Sequence, residues 1–245
     1  MSTVSNDGLT NGAIAMIDVL GVKGIWMREP IEEIMHKWDK IVSDFEQIQT
    51  AMENHNTNFE QHMQFFSDTI IVTYQGENLL DLLAHLSLHF TYPFCDAILN
   101  RIFFRGVISV GRFRRTRNLI IGPAVDESAE WYENYNWMGI TLCPSASQII
   151  EENDLENQSH GWYERYTVES KNGINDTWAL NWPSQLGGVM RFMLDNRVPR
   201  PVITQILSNH PDEPRIRSKY ESTMRFFNDM IVRRGENPLA PPNRI

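Results

Sequence analysis

Apolar and polar positions in the first third of the chain alternate between strand-like and helix-like spacing. The run AIAMIDVLG at 13–21 is apolar except for one acid and ends in glycine, which predicts a buried strand. Over 29–54, apolar residues recur every three or four positions, which predicts one long amphipathic helix. Over 63–74, two halves rich in β-forming residues flank Ser67-Asp68, and this arrangement predicts a β-hairpin.

The same patterns continue through the rest of the chain. They predict, in chain order, a helix over 79–100, a strand over 103–113, a short strand at 119–122, a helix over 123–134, a strand and a helix within 139–150, two strands joined by Lys171-Asn172-Gly173, and helices from 183 that end with one over 220–233. Ser145 or Ser147 is expected near the start of the helix within 139–150. The leading β-α-β-β-α-β order predicts an α+β fold with a ferredoxin-like antiparallel sheet and helices on one face, followed by an extra C-terminal hairpin and helices.

Composition and length predict one main domain. The chain has 245 residues, enough for one substantial core. We expect residues 1–11 to be a flexible tail, residues 12–182 to form the catalytic domain, and residues 183–245 to be a helical extension packed on that domain.

Charge and cysteine usage narrow the setting. The net charge of −9 argues against a nucleic-acid partner, because proteins that bind nucleic acids are usually basic. The sequence has neither a signal peptide nor an apolar run of about 18 residues, so we expect no membrane association. Two cysteines, Cys95 and Cys143, suit a reducing compartment, and we expect the protein to be cytoplasmic.

Two acids stand where polar residues are unusual. Asp18 interrupts the apolar run of the first predicted strand, and Asp68 lies at the tip of the predicted hairpin. In a split β-α-β fold the first strand runs beside this hairpin, so the two carboxylates are expected to converge. Close carboxylates repel each other unless a cation lies between them.

Two hard oxygen donors suit Mg²⁺ or Mn²⁺, and such a pair supports phosphoryl transfer with two metal ions. Each acid also has a simpler interpretation. Asp68 taken alone fits an ordinary turn residue. Asp18 taken alone fits a capping role or a buried hydrogen bond. Their joint placement favours the metal site.

Four motifs resemble those of class III nucleotidyl cyclases over about residues 13–145. IDVLGVKG resembles the first metal motif of these enzymes, FFSDTIIV the second, FRGVISVG the strand that follows, and IIGPAVDESAEW the segment that leads into a helix at the dimer interface. The resemblance implies a homodimer with its active sites between the protomers. The helix Val125 to Tyr135, with Trp131 and Tyr132, is then expected to face the partner.

The resemblance also implies a set of site residues. The metal ligands would be Asp18, Asp68 and the backbone carbonyl of Val19, which together would hold two ions. Leu20, Gly21 and Val22 would form the turn that meets the triphosphate. Arg105 is the first candidate for a cation that stabilises the transition state, and an arginine of the run containing Arg112, Arg114, Arg115 and Arg117 is the second. A strand-end salt bridge for Arg105 and a solvated hairpin tip for the arginine run are the simpler alternatives.

Four positions depart from the purine cyclases of this class. Gln64 and Leu119 stand where base-selecting residues are expected, and Asp126 and Glu130 replace an asparagine and an arginine on the interface helix. The pattern resembles the pyrimidine cyclases of bacterial Pycsar antiphage systems. It implies conversion of UTP or CTP to a 3′,5′-cyclic monophosphate that a separate effector reads. A purine cyclase with unusual base contacts and an inactive nucleotide-binding sensor are the alternatives.

Overall fold

The structure is a computed structural model that describes residues 8–20, 27, 29–53, 59–153, 161–185, 200–210 and 213–235. The strands of this part of the chain are β1 (Thr10–Leu20), β2 (Glu60–Phe66), β3 (Thr69–Gln75), β4 (Phe103–Arg115), β5 (Ile120–Ile121), β6 (Ile140–Leu142), β7 (Tyr163–Ser170) and β8 (Gly173–Leu180). Its helices are α1 (Ile31–Glu53), α2 (Leu79–Leu99), α3 (Pro123–Trp131), α4 (Pro144–Glu152), α5 (Trp182–Gln185), α6 (Arg200–Ser208) and α7 (Pro214–Arg233).

The described strands form one sheet in the order β2-β3-β1-β4-β6-β8-β7, and β5 pairs only with the end of β4. The first four strands pair with one another in antiparallel fashion, whereas β6 runs parallel to β4. The predicted ferredoxin-like β-α-β-β-α-β unit is therefore confirmed, with the C-terminal hairpin added at the far edge through β6.

Alternation along β1 divides the sheet into two faces. Ala13, Ala15 and Ile17 are fully buried in the main core, which α1 and α2 also line. Ile14 points the other way and packs in a second cluster with Ala124 of α3. Helices α1 and α2 thus cover one face, as predicted for the β-α-β-β-α-β unit, and α3 lies on the opposite face. Asp18 follows Ile14 by four residues, so its side chain emerges on the α3 side.

Helix α3 and the segment after it differ from the sequence prediction. The helix ends at Trp131 rather than near residue 134, because residues 132–134 form a turn. Tyr135 then forms an isolated bridge with Ser170 and is 2% exposed. The predicted partner-facing helix is therefore shorter, and the ring of Tyr135 belongs to this chain's own core.

One further boundary was predicted wrongly. Strand β1 begins at Thr10, inside the segment expected to be a tail. Ser145 lies in the first turn of α4, as expected, but the N-cap of this helix is Cys143. Ser145 donates its hydroxyl to Glu127 of α3 and accepts a hydrogen bond from the Val110 amide at 3.0 Å. Tertiary contacts between α3, α4 and β4 thus use the serine that local sequence assigned to a cap.

The C-terminal helices pack on the same body as the sheet. Phe226 of α7 lies with its ring 5.0 Å from that of Trp137, and Phe227 stacks on Trp182 at 5.6 Å. Helix α7 begins at Pro214, six residues before the predicted start, with proline in the first turn where a missing amide is harmless. Within the described residues, no helix is long and apolar enough to cross a membrane.

Candidate active site

The two predicted carboxylate residues meet where β1 ends beside the β2–β3 hairpin. Strand pairing places Asp18 opposite Thr69, the first residue of β3. The next residue, Val19, donates its amide to the backbone carbonyl of Asp68 at 2.7 Å. Ser67 precedes Asp68 in the turn with a left-handed backbone (φ 55°), a conformation that tight hairpins commonly require. The fold therefore joins two acids that lie fifty positions apart in sequence.

Arg105 completes the centre of the site from the other side of β1. Asp18 and Arg105 are paired across β1 and β4, and the Nη2 of Arg105 donates to the Oδ2 of Asp18 at 2.6 Å. The Nη1 of the same guanidinium lies 3.5 Å from the carbonyl oxygen of Tyr135. Only 11% of the Arg105 side chain and 16% of the Asp18 side chain are exposed. This ion pair is consequently shielded from solvent more than a surface pair is.

Gly106 explains why β1 and β4 approach closely at this point. A Cβ atom on residue 106 would lie 2.3 Å from the Cδ1 of Ile17 and 2.6 Å from the backbone oxygen of Met16. No side chain fits at these distances, so glycine is needed directly after Arg105. The Arg-Gly pair singled out in the sequence thus has a packing reason beside its functional interpretation.

Burial and three charged neighbours determine the pKa of the Asp18 carboxyl. Burial is the largest and raises the pKa of this carboxyl. The hydrogen bond and charge of Arg105 lower the pKa, the charge of Asp68 raises it, and the ammonium of Lys219 lowers it. The repulsion between Asp18 and Asp68 shows that the two acids lie within electrostatic range of each other.

The donor set can be tested against the metal ions that the sequence implies. Within the part of the chain that the structure describes, no three acidic, histidine or cysteine side chains cluster as a metal site. The two carboxylates fit a site only with backbone and substrate oxygens in addition. The amide of Val19 faces the hairpin, and since the N–H and C=O of a strand residue point to the same side, its carbonyl does too. These donors are oxygens, which suits Mg²⁺ or Mn²⁺.

The side chain of Arg105 also contains a buried nitrogen without a hydrogen-bond partner in the described part of the chain. The Nε of Arg105 is buried and has no hydrogen-bond partner among the described residues. Unsatisfied buried donors are uncommon, and a ligand atom is one explanation for them. Arg105 thus forms the salt bridge of the simpler interpretation, and it also lies beside the candidate metal ligands.

Further polar side chains lie near the Asp18–Arg105 pair. Tyr132 donates its hydroxyl to Glu133 at 3.0 Å, and Lys171 is ion-paired with Glu133 at 3.3 Å. Burial raises the pKa of Tyr132, as do Glu133 and Asp18. Hydrogen bonds from Tyr132 and Lys171 lower the pKa of Glu133. The turn after α3 and the β7–β8 turn therefore both reach the surroundings of Asp18.

Other predicted site residues lie elsewhere in the protomer. Arg112 pairs with Asn11 on β1, seven positions from the Asp18–Arg105 pair, which is about 23 Å at about 3.3 Å per residue. Leu119 follows the end of β4 and is 47% exposed, farther still along the same direction. Arg112 therefore lies away from Asp18 of its own chain, and the role of a cation from this run stays a prediction.

The remaining predicted residues are placed as follows. Gln64 is exposed on β2, two strands away from β1. Asp126 and Glu130 are exposed on α3. Leu20 ends β1 and packs partly against the main core. Gly21 and Val22 lie outside the described residues, so their expected contact with the triphosphate stays a prediction.

Lys219 is the residue near the site that sequence reasoning missed. It lies on α7, and its charge acts on both Asp18 and Arg105. The sequence pattern predicts helices from residue 183 that end with one over 220–233, and it does not mark Lys219 as a site residue. The Glu213-Pro214 pair is a helix-start signal and places Lys219 in the second turn of α7.

The sequence matches no protein-family model and no curated protein. The fold, however, is similar to solved structures. The catalytic core of a rhodopsin-guanylyl cyclase with converted specificity, in complex with ATPalphaS, matches with a TM-score of 0.53 and 11% identity, over 70% of this chain and 95% of that one. The adenylyl cyclase CyaB from P. aeruginosa matches with a TM-score of 0.51 and 10% identity, over 70% and 94%. This chain therefore has the fold of cyclase catalytic domains, and the predicted fold class is confirmed.

Proposed function

We propose that this protein is a homodimeric nucleotidyl cyclase that converts a pyrimidine nucleoside triphosphate, UTP or CTP, to its 3′,5′-cyclic monophosphate and diphosphate. The observation that carries this proposal is the convergence of Asp18, Asp68 and Arg105 on a cyclase fold. Two acids and one arginine, brought together from three separate strands or turns, provide oxygen ligands for cations and a fixed positive charge for phosphates.

The chain's own residues have distinct tasks in this reaction. The carboxylates of Asp18 and Asp68 and the carbonyl of Val19 hold two divalent cations, Mg²⁺ or Mn²⁺. When bound, such ions promote loss of the 3′-hydroxyl proton and neutralise charge on the phosphates. Arg105 donates from its guanidinium to phosphate oxygens, in addition to orienting Asp18. Burial of this pair strengthens its electrostatic effect on bound phosphates.

The bond changes balance as an internal displacement. The ribose O3′ forms a bond to the α-phosphorus, and the bond from that phosphorus to the bridging oxygen breaks. The proton of the 3′-hydroxyl passes to solvent, and diphosphate leaves. Correct alignment of O3′ with the leaving oxygen is the main requirement for this step, since little covalent chemistry falls to the protein.

Placement of the remaining predicted residues supports a dimer. Arg112 and Leu119 lie at or beyond one end of β4, and Asp18 lies beside the other end. A single site that contains all three residues therefore needs two chains. Leu119 and Ile121 are each 47% exposed, which leaves apolar side chains uncovered at that end. A two-fold axis would bring this end of each chain to the Asp18 site of its partner and generate two equal sites.

The pyrimidine assignment depends on departures from the purine pattern. Gln64, Leu119, Asp126 and Glu130 are the residues at which the chain differs, and Asp126 and Glu130 are exposed on α3 as contacts with a partner's substrate require. By the same resemblance, the product is a second messenger in antiphage defence that a separate effector reads. The two similar solved structures are named for purine nucleotide cyclases, which keeps a purine substrate as the second candidate.

Substrate choice is tested by incubating the protein with Mn²⁺ and each of ATP, GTP, CTP and UTP separately, and identifying products by mass spectrometry. The proposal predicts cyclic UMP or cyclic CMP with a matching amount of diphosphate. A cyclic purine nucleotide as the main product would contradict the pyrimidine assignment and leave the cyclase assignment intact. Absence of any cyclic product with all four nucleotides would support a binding protein without turnover.

A further inference from the structure

The C-terminal helix α7 is docked beside the Asp18–Arg105 pair by the residues on either side of Lys219. Ser218 accepts a hydrogen bond at 3.0 Å from Asn136, the residue after Tyr135, whose carbonyl lies near Arg105. Tyr220 packs edge-on against Phe103, with ring centroids 4.9 Å apart.

Both contacts belong to the neighbourhood of the site. Phe103 precedes Arg105 by two positions on β4, so both side chains point to the same face of the sheet. Asn136 lies in the segment that connects α3 to β6. Lys219 is therefore held between one contact on the strand that carries Arg105 and another on the segment that contacts Arg105.

Within the described part of the chain, the ammonium of Lys219 has no close acidic partner. Arg105 is paired with Asp18, and Lys171 is paired with Glu133. No carboxylate among the residues described is ion-paired with Lys219, although it is within electrostatic range of Asp18. Burial lowers the pKa of Lys219, and the charge of Arg105 lowers it further, while Asp18 opposes the shift.

A polyanion is the ligand class that this arrangement suits. Several cations gathered around two carboxylates repel one another, and a multivalent anion offsets that repulsion more than a single carboxylate does. Lysine provides a compact charge on a flexible stem, which allows it to follow a phosphate chain.

We propose that Lys219 binds the polyphosphate chain of the substrate, so that the C-terminal helix contributes directly to the active site of its own protomer. This inference rests on the proposed cyclase function for the identity of the substrate. It does not require turnover, because a polyphosphate without a nucleoside offers the same ligand atoms. The helix is thereby part of the site as well as part of the scaffold.

Calorimetric titration with inorganic tripolyphosphate in the presence of Mn²⁺ tests the inference on the intact chain. Lys219→Met keeps most of the apolar stem and removes the charge, and we expect it to weaken tripolyphosphate binding by about tenfold or more. Lys219→Arg restores the charge and is expected to bind within about threefold of the unaltered protein. Where a nucleotide is turned over, its KM should rise in Lys219→Met by a similar factor.

Arg217→Met is the matched control. Arg217 lies on the same helix two positions earlier, pairs with Glu221, and is about half exposed. Residues two positions apart point to nearly opposite sides of a helix, so this variant should bind tripolyphosphate as the unaltered protein does. Thermal unfolding of all variants checks that each is folded.

The outcomes separate this inference from the cyclase proposal. Tripolyphosphate binding that depends on Lys219, with no cyclic product from any nucleotide, would support the polyphosphate contact and contradict the cyclase assignment. Cyclic product formation with unchanged KM and unchanged tripolyphosphate binding in Lys219→Met would overturn the role of Lys219 alone. Failure of the unaltered protein to bind tripolyphosphate would also overturn it.

Discussion

Arg105 and Asp18 face each other across two adjacent strands, and a 2.6 Å hydrogen bond joins the guanidinium to the carboxylate. The same carboxylate is the first of the two candidate metal ligands. Asp18 therefore has two possible partners, the arginine and a cation, and its two oxygens allow it to bind both. Arg105 fixes the orientation of the Asp18 carboxylate and keeps a positive charge next to it.

Removal of the Arg105 charge should impair catalysis more than stability. Arg105→Met is expected to lower kcat/KM by about 10² to 10³, the range seen when a preorganised donor to a reacting group is removed. Arg105→Lys should retain part of the activity, since lysine keeps the charge and loses the planar donor pair. Steady-state diphosphate release measures both effects.

Arg225→Met is the control for this change. Arg225 lies on α7, pairs with Glu169, and has a side chain that is 63% exposed. Its removal should leave kcat/KM unaffected. Equal kcat/KM in Arg105→Met and in the unaltered protein would contradict a role of Arg105 at the phosphates.

Mixing two impaired variants tests whether each site uses two chains. Asp68→Asn removes a candidate metal ligand in the β2–β3 turn, and Asp126→Ala changes the exposed face of α3. If the site spans the interface, mixed dimers contain one intact site, and an equal mixture should recover about a quarter of the activity of the unaltered protein.

The recovery depends on subunit exchange, which mixing under mild denaturant promotes. Light scattering checks that the proteins are dimeric. Each variant alone should remain dimeric and form little product. No recovery in mixtures that contain verified mixed dimers would contradict a shared site. Full activity of a strictly monomeric species would contradict it as well.

Much of the fold follows from the sequence because the decisive patterns are local. The alternation around Asp68 fixes the hairpin, and the apolar run around Asp18 fixes β1. Their meeting could be predicted because the β-α-β-β-α-β order leaves few arrangements. Arg105 could be placed for the same reason, since β4 is the last strand of this unit.

The remaining features depend on contacts that the sequence does not display. Lys219 reaches the site because Tyr220 packs on Phe103 and Ser218 bonds to Asn136, both far away in sequence. Ser145 serves α3 and β4 rather than its own helix start, which no local rule indicates.

His89 should make the fold sensitive to acid. The Nδ1 of its ring lies 2.5 Å from the hydroxyl of Tyr74 inside the core, and burial lowers the pKa of His89 to about 3. In the unfolded chain this histidine binds a proton near pH 6.5, whereas in the folded chain it stays neutral at that pH. The contribution of neutral His89 to stability is therefore fully present above pH 6.5 and is lost as the pH falls below it.

The measurement is the free energy of unfolding in urea between pH 4.5 and 7. His89→Gln keeps a polar partner for Tyr74 and does not titrate, so the unaltered protein should lose stability relative to this variant as the pH falls. His36→Gln, at an exposed histidine, serves as the control with no such difference. Parallel pH profiles of the unaltered protein and His89→Gln would contradict the prediction.

Asp44 should produce a pH dependence of opposite sign. Lys40 bridges Asp44 and Asp96 at 2.7 Å each, joining α1 to α2. Burial raises the pKa of Asp44 to about 6, with the hydrogen bond to Lys40 acting against the shift and Asp96 adding to it. A raised pKa means that the stabilisation is present below the unfolded value of about 3.8 and is lost as the pH rises through about 6.

Asp44→Asn resembles the protonated form and removes this dependence. The unaltered protein should therefore lose stability relative to Asp44→Asn as the pH rises from 4 to 6, measured by urea unfolding. Asp39→Asn, an exposed aspartate on the same helix, is the control. A relative gain of stability over this range would show that the Lys40 ion pair outweighs burial at Asp44.

The central claim is that Asp18 and Asp68 hold the cations of a nucleotidyl cyclase. It is tested most directly by measuring diphosphate and cyclic nucleotide formed from the best of the four triphosphates by the unaltered protein, Asp18→Asn and Asp68→Asn at saturating Mn²⁺. We predict turnover by the unaltered protein, and loss of at least about 10³ in kcat for both variants with their folds intact. Turnover by Asp68→Asn at the rate of the unaltered protein would contradict the account.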